Sequence, residues 1–172
     1  MLVTVRLLEK LNASHSVIEV FKIKFLTNKA DVKKVLTWLK EIDQHDWIGW
    51  MMGQTPELTQ AFLDAGADVH TSDDYALLTA TRKGYDKVVE LLIKTGADVH
   101  ANSDYALCWA AERGYNKVVE LLIKAGADVH ANSDYALRMA AENGYDKVVE
   151  LLINAGADVH ADDDYAFYHG PS

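Results

Sequence analysis

Apolar residues recur in a fixed pattern along the second half of the chain, and the pattern repeats every 30 residues. Three segments follow it almost letter for letter: 74–100, 104–130 and 134–160. In the middle copy, Leu107, Ala110 and Ala111 fall at helical spacing, which predicts a short helix with one small apolar face. The stretch 115–124 is apolar nearly all round, which is typical of a helix buried between neighbours. A unit this small cannot bury its own apolar face, so the period predicts a stacked solenoid with an extended surface.

Polar residues and glycines mark where the predicted helices begin and end. The first helix of every copy starts at an aspartate: Asp74, Asp104 and Asp134. We expect these carboxylates to act as N-caps. Gly126 follows the second helix of the middle copy, where a left-handed backbone is wanted. One period upstream of the copies, Thr55 as N-cap and Pro56 at the first helical position predict where another helix begins.

The pattern changes before residue 74. One amphipathic helix is predicted from Val32, Val35, Leu36, Leu39 and Ile42. At the N-terminus, 2–8 and 17–26 alternate apolar and polar residues, Phe21, Ile23 and Phe25 among them, with turn residues at 12–15. This alternation predicts a β-hairpin. Two strands alone are marginal in water, so we expect the hairpin to pack on the capping helices or to pair with another chain. We expect the first interface to be filled by Trp38, Trp47, Trp50, Met51 and Met52.

These patterns divide the chain into four parts. Residues 1–29 form the hairpin, 30–73 a degenerate capping repeat, 74–163 three full repeats, and 164–172 the start of a further unit without its second helix. The predicted fold class is therefore an α-solenoid of helix-turn-helix units with a small N-terminal β-hairpin.

Helix, glycine, helix and the ending LLIKAGADVHA at 121–131 resemble the ankyrin repeat, whose usual pattern is TPLHxAAxxGxxxVVxxLLxxGADVNA. The resemblance covers 74–161 in three in-phase copies. The units here are shorter than the family's usual length of about 33 residues, and Tyr-Ala-Leu replaces the TPLH box. This short form is similar to the ankyrin repeats abundant in giant DNA viruses. The resemblance implies a non-enzymatic module that binds a protein partner on a concave surface lined by the first helices and the turns before them.

Charge is divided unevenly along the chain. Residues 1–45 hold eight Lys or Arg against five Asp or Glu, whereas 46–172 hold nine against 21. Such an acidic array repels nucleic acid, and it favours a basic protein partner or simple solubility. Cys108 is the only cysteine, and no apolar run is long enough to span a membrane. We therefore expect a protein of the reducing cytoplasm that binds neither nucleic acid nor membrane directly.

Seven histidines among many carboxylates raise the question of a metal or catalytic site. Four of them recur once per unit: His70, His100, His130 and His160. Stacked helices lie about 8–10 Å apart, whereas zinc binds nitrogen ligands at about 2.0–2.1 Å, so neighbouring copies cannot share an ion. We expect turn histidines that hydrogen-bond to backbone or to a nearby Asp, with no metal and no cofactor. Cys108 lacks an evident general base, and we expect no enzyme activity.

Partner choice is expected where the copies differ, because stacking explains what they share. With Leu107 as reference and about 100° per residue, Trp109, Glu112 and Arg113 point away from the core face. The predicted partner-binding set is Thr79, Arg82, Lys83, Cys108, Trp109, Glu112, Arg113, Arg138, Met139, Glu142 and Asn143. Trp109 is the expected anchor, because exposed indoles are frequent at interfaces. Four tyrosines face the same side but are identical, which favours a structural role: Tyr75, Tyr105, Tyr135 and Tyr165.

Two other functions fit the same sequence. The first is an acidic decoy, viral against host, that occupies the basic groove of a nucleic-acid-handling protein. Binding that falls steeply with salt and is competed by DNA or RNA would favour it. The second is a self-assembling structural protein, a homo-oligomer joined through the hairpin edge or the open C-terminal end. Light scattering that rises with concentration would favour that one.

Overall fold

The structure of the chain is a computed structural model that describes residues 1–15, 17, 18, 21, 24 and 29–161. The N-terminal part contains β1 (Leu2–Thr4), α1 (Val5–Lys10), β2 (Lys29–Asp31) and α2 (Val32–Glu41). Four helix pairs follow: α3 (His45–Met52) with α4 (Pro56–Asp64), α5 (Thr71–Arg82) with α6 (Asp86–Lys94), α7 (Ala101–Glu112) with α8 (Asn116–Lys124), and α9 (Ala131–Glu142) with α10 (Asp146–Asn154).

The helices stack in two rows. The first-helix row contains α3, α5, α7 and α9, and each contacts the next. The second-helix row contains α2, α4, α6, α8 and α10 in the same manner. The predicted solenoid of helix-turn-helix units is confirmed. Because α2 lies in the second-helix row, the array begins with half a unit, and α3 takes the first-helix position of the unit that follows.

The core lies between the two rows and between successive units. In the middle copy Val118, Val119 and Leu122 are buried, as the all-round apolar pattern predicts. Ala110 and Ala111 are buried too, and such small side chains let helix backbones approach closely. The predicted start of α4 is confirmed, since the Thr55 hydroxyl accepts a hydrogen bond from the Leu58 backbone N–H at 3.2 Å.

Close approach is most pronounced between α3 and α5. A Cβ atom added to Gly53 would lie 2.7 Å from the Ala76 carbonyl oxygen and 2.7 Å from the Thr79 Cβ. One turn earlier, a Cβ at Gly49 would lie 3.1 Å from the Tyr75 Cβ. These two glycines seat α3 against α5, and Thr79 is consequently buried beneath it at 1% exposure.

The predicted N-terminal two-stranded antiparallel sheet is present, but its strands differ from those expected. β1 pairs with β2, with Leu2 opposite Asp31 and Thr4 opposite Lys29. Thr4 ends the strand, because its hydroxyl accepts from the Leu7 N–H at 3.0 Å and caps α1. Residues 5–8 are thus helical rather than extended.

The expected second strand at 17–26 is also wrong for the residues that the structure describes. Val17, Ile18, Phe21 and Lys24 are helical, while Ile23 and Phe25 lie outside the described residues. The reason is the spacing of the apolar residues. Phe21 lies three residues after Ile18 and four after Val17, which places all three on one face of a helix. Short apolar runs fit both patterns.

The N-terminal segment is packed into the core of the array. Val3, Leu8 and Phe21 are each 1% exposed and belong to the same apolar cluster as the repeats.

We expect deletion of residues 1–28 to lower the thermal midpoint by roughly 5 °C. The deletion removes buried apolar surface, and the conformational entropy that is no longer lost on folding offsets this only in part. Circular dichroism melts of both chains measure this. An unchanged midpoint in a monomeric truncated protein would contradict it.

Candidate functional site

Near the start of α5, α7 and α9 lie three consecutive residues with left-handed backbone. In the middle copy Asn102, Ser103 and Asp104 have φ of 55°, 59° and 58°, and 72–74 and 132–134 repeat this turn. Left-handed backbone costs most residues about 1–2 kcal/mol, but Asn and Asp adopt it readily. Helical backbone resumes at Tyr105. The turn is compact, which accounts for the short period of 30 residues.

The last residue of this turn bonds to the loop that follows the second helix of the same copy. Asp104 is 6% exposed, and its Oδ1 accepts a hydrogen bond from the backbone N–H of Asp128 at 2.8 Å. The same carboxylate accepts from His100 Nδ1 at 3.1 Å. The expected N-cap role is therefore wrong: the carboxylate bonds to the preceding histidine and to the loop that ends its own copy. An aspartate whose backbone is left-handed does not have the extended backbone that N-cap residues need.

The same bonds recur in the other two copies. Asp74 accepts from Asp98 at 2.9 Å, and Asp134 accepts from Asp158 at 2.8 Å. His70 and His130 each bond to the aspartate four residues later, at 3.2 and 3.1 Å. The expectation that the turn histidines bond to a nearby Asp is thus confirmed. The hydrogen bond that His70 makes to the Asp74 carboxylate, together with the negative charge of that carboxylate, raises the pKa of His70 above its ordinary value.

The turn also fixes the direction of the tyrosine that follows it. Tyr75, Tyr105 and Tyr135 each stand at the first helical residue of a first helix, and Tyr105 is 49% exposed. The Tyr105 ring meets the Trp109 ring edge-on, with centroids 5.8 Å apart. On the other side, the Arg82 guanidinium from the neighbouring unit lies 5.8 Å from the Trp109 ring centroid. Trp109 is therefore held by its neighbours while one edge stays open to solvent.

Three adjacent cavities follow the first-helix row. The first has a volume of about 440 Å³ and is lined by Asn12, Ala13, Ser14, Val17, Asp46, Trp47, Trp50, Tyr75 and Arg82. The second, of about 330 Å³, is lined by Ser72, Asp73, Tyr75, Leu78, Asn102, Tyr105 and Trp109. The third, of about 260 Å³, is lined by Tyr105, Cys108, Trp109, Glu112, Asn132 and Tyr135.

Neighbouring cavities share their walls. Tyr75 separates the first from the second, while Tyr105 and Trp109 separate the second from the third. Together they form one depression along the array, which we call the aromatic groove. The N-terminal residues Asn12 to Ser14 and Val17 form a wall at one end of it. The arrangement offers a row of aromatic subsites rather than one enclosed pocket.

Similarity to known proteins agrees with this architecture. A family model described as ankyrin repeats, in three copies, matches residues 50–133 and 96–163. The chain belongs to the ankyrin-repeat family. Ankyrin repeats are generally protein–protein interaction modules, and proteins built from them are typically not enzymes.

A solved structure supports the same fold. An ankyrin repeat domain from Acinetobacter baumannii is similar with a TM-score of 0.56 and 29% sequence identity. The match covers 66% of this chain and spans 64% of the length of that domain. The comparison with curated proteins gives no match. Within the described ranges, none of the helices has the length and apolar character that crossing a membrane requires.

The ankyrin helices bring some of the predicted partner-binding residues together and separate others. Arg82, Trp109 and Glu112 line the groove, and Cys108 lies in its floor at 2% exposure. Thr79 offers no surface, because the approach of α3 covers it. This corrects the expectation drawn from helix phase, which cannot detect a close helix contact.

The remaining predicted residues lie outside the three cavities. Lys83 turns away and donates to the Gln54 Oε1 at 2.7 Å. The Arg138 guanidinium lies 5.6 Å from the Tyr135 ring centroid. Met139 is half-buried, and three others are exposed at the ends of first helices: Arg113, Glu142 and Asn143.

Several groove residues were not in the predicted set. Trp38, Met51 and Met52 are buried in the first interface as expected, but Trp47 and Trp50 are only half-buried and line the first cavity. Three of the four tyrosines expected to be structural, Tyr75, Tyr105 and Tyr135, also line the groove, and Tyr165 lies outside the described residues. The sequence did contain a signal for Trp47 and Trp50. His45 stands two periods before Tyr105, so α3 is in phase with the other first helices although its sequence has diverged.

The reactivity of the groove depends on the Cys108 thiol and on side chains that could bind a metal ion. Burial raises the pKa of the Cys108 thiol, which keeps it protonated and unreactive. Among residues 1–15, 17, 18, 21, 24 and 29–161, no cluster of three or more His, Cys, Asp or Glu side chains has the geometry for a metal ion.

Proposed function

We propose that the aromatic groove is the partner-binding surface of this ankyrin array and that Trp109 is its anchor. The observation that carries the proposal is the position of Trp109: it is half-buried, forms the wall between the second and third cavities, and differs from both its counterparts, Thr79 and Met139. Aromatic side chains seated this way contribute much of the energy at protein interfaces.

The length of the aromatic groove also supports a peptide-like ligand. The cavities continue along the first-helix row for several units, and Tyr105 forms the edge of two of them. A long shallow surface of this kind suits a segment of a protein partner better than a small molecule, which usually needs a cleft that covers most of its area.

Site-specific photo-cross-linking identifies the partner and tests the location. A photoreactive amino acid at Tyr105, which is 49% exposed, is expected to capture the partner in cells of the source organism. The matched control carries the same amino acid at Ile153, which is 44% exposed on the second-helix row. Capture at Ile153 and not at Tyr105 would place the interface on the other row, and capture of a second copy would identify self-association.

Trp109→Ala is expected to weaken binding of the captured partner about 30-fold, because anchors of this type contribute about 2 kcal/mol. Trp109→Phe, which keeps an aromatic ring against Tyr105, should retain most of the affinity. Calorimetric titration measures both, and far-UV circular dichroism checks that the helices persist. If Trp109→Ala melts the array and Tyr105→Ala leaves binding unchanged, Trp109 is a core residue and the proposal is wrong.

A further inference from the structure

The three cavities of the aromatic groove repeat one combination of side chains. Each contains three aromatic rings and one carboxylate. The first combines Trp47, Trp50 and Tyr75 with Asp46, the second Tyr75, Tyr105 and Trp109 with Asp73, and the third Tyr105, Trp109 and Tyr135 with Glu112. The carboxylates come from three different places in their units, so the repeat of the sequence does not by itself produce this combination.

The carboxylates of these cavities are available to a ligand. Asp46 and Asp73 are exposed, and Glu112 is half-buried. Within the part of the chain that the structure describes, none of the three forms an ion pair. The glutamates at one position of the second-helix row differ, since Glu90, Glu120 and Glu150 each bond to a lysine of their own helix.

The rings of the groove accept cations. The Arg82 guanidinium lies 5.8 Å from the Trp109 ring centroid, and the Arg138 guanidinium lies 5.6 Å from that of Tyr135. Both distances are within the range in which a cation is attracted by the negative face of an aromatic ring. Among the described residues that line the three cavities, Arg82, in the first cavity, is the one cation.

We propose that the aromatic groove selects a basic, extended segment of its protein partner and binds one lysine or arginine side chain in each of the three cavities. This inference rests on the proposed function. Rings attract the cation and shield its alkyl stem, and the carboxylate beside them supplies the opposite charge. The acidic array favours the same ligand at long range, and it disfavours nucleic acid, whose phosphates need a basic groove.

Geometry sets the spacing of the basic residues. First helices of neighbouring units pack about 9 Å apart, and an extended chain advances about 3.3 Å per residue. Successive cavities therefore meet every third residue of an extended segment. A polyproline II conformation, with three residues per turn, presents such residues on one side.

Synthetic peptides test the spacing. The probe is a short fluorescent peptide with lysine at every third position in a Gly, Ser and Pro background, and its matched control has the same composition with the lysines adjacent. We expect the spaced peptide to bind the full chain about tenfold more tightly, because only it reaches all cavities at once. Fluorescence anisotropy measures both. Equal affinities of the two peptides would overturn the predicted spacing of three residues.

Substitutions in the array test whether the cavity carboxylates bind the lysines of the peptide. Asp73→Ser introduces the residue found at 103 and 133, and Glu112→Gln preserves shape, so neither should disturb the fold. Each is expected to weaken the spaced peptide about threefold, and the two together about tenfold, because they act in separate cavities. Asp146→Asn, on the second-helix row, changes net charge equally and introduces the residue found at 116, and it should have no effect.

The outcomes separate this inference from the proposed function. If an acidic or uncharged peptide, or a single-stranded oligonucleotide, binds more tightly than the spaced lysine peptide, cation selection is wrong. If Asp146→Asn weakens binding as much as Asp73→Ser, the charge effect is diffuse and the subsites are wrong. Neither result affects the loss of partner binding expected for Trp109→Ala, which tests the groove itself.

Discussion

Replacing Asp104 with alanine is expected to lower the free energy of unfolding by about 3 kcal/mol. The carboxylate is 6% exposed, and its removal leaves the backbone N–H of Asp128 without its acceptor inside the array. The bond is part-buried, and losing the acceptor of such a bond costs about 1–2 kcal/mol. Alanine in the left-handed backbone of this position, where φ is 58°, adds about 1 kcal/mol. Urea titration followed by circular dichroism measures the loss.

The control for this prediction is Asp104→Asn. Asparagine keeps an oxygen at the Oδ1 position and adopts left-handed backbone readily, but it removes the charge that faces His100. It should cost about 1 kcal/mol or less. If alanine and asparagine destabilise the protein equally, the bond to Asp128 contributes nothing, and the carboxylate acts through its charge alone.

Gly114→Ala is expected to destabilise the array by about 3 kcal/mol. Gly114 has a φ of +69°, and a Cβ atom there would lie 2.6 Å from Cδ1 and 2.8 Å from Cγ of Tyr145. Because Cγ is close to the backbone of Tyr145, the ring cannot turn aside without moving the start of α10. Two costs therefore add: the left-handed strain and the overpacking against the next unit.

Gly144 separates these two costs. It has nearly the same φ, +72°, but a Cβ atom there meets nothing within 4 Å among the described residues. Gly144→Ala should therefore cost about 1 kcal/mol, which is the strain alone. The difference between the two variants in urea titrations measures the steric contact with Tyr145. Equal losses would mean that the tyrosine relaxes freely.

The period of 30 residues was sufficient to predict the repeat architecture. Apolar positions that recur in phase place Val118, Val119 and Leu122 in the core, and Thr55 with Pro56 locates a helix start. The path of the N-terminal segment was not predictable in the same way. Phe21, Ile23 and Phe25 alternate as in a strand whereas Val17, Ile18 and Phe21 have helical spacing, and only the packing against the array decides between the two patterns.

The candidate site was predicted in part. Helix phase and disagreement between copies single out Trp109 and Glu112, which line the groove. The same reasoning includes Thr79, because periodicity describes one helix and cannot report that Gly53 brings another helix onto it. Nor does the sequence reveal that the Asp104 carboxylate bonds to the loop at the end of its own copy, since a conventional cap and such a bridge use the same residue type.

The turn aspartates accept their backbone hydrogen bonds from residues later in the chain, and this order matters during synthesis on the ribosome. Asp74, Asp104 and Asp134 each accept from a residue 24 positions later in the chain. No copy therefore waits for a distant part of the sequence, and each can close as soon as the loop after its own second helix has emerged. Growth by local closure keeps contact order low, a topology associated with rapid folding, and it limits the time for which the apolar second helices remain exposed in a nascent chain.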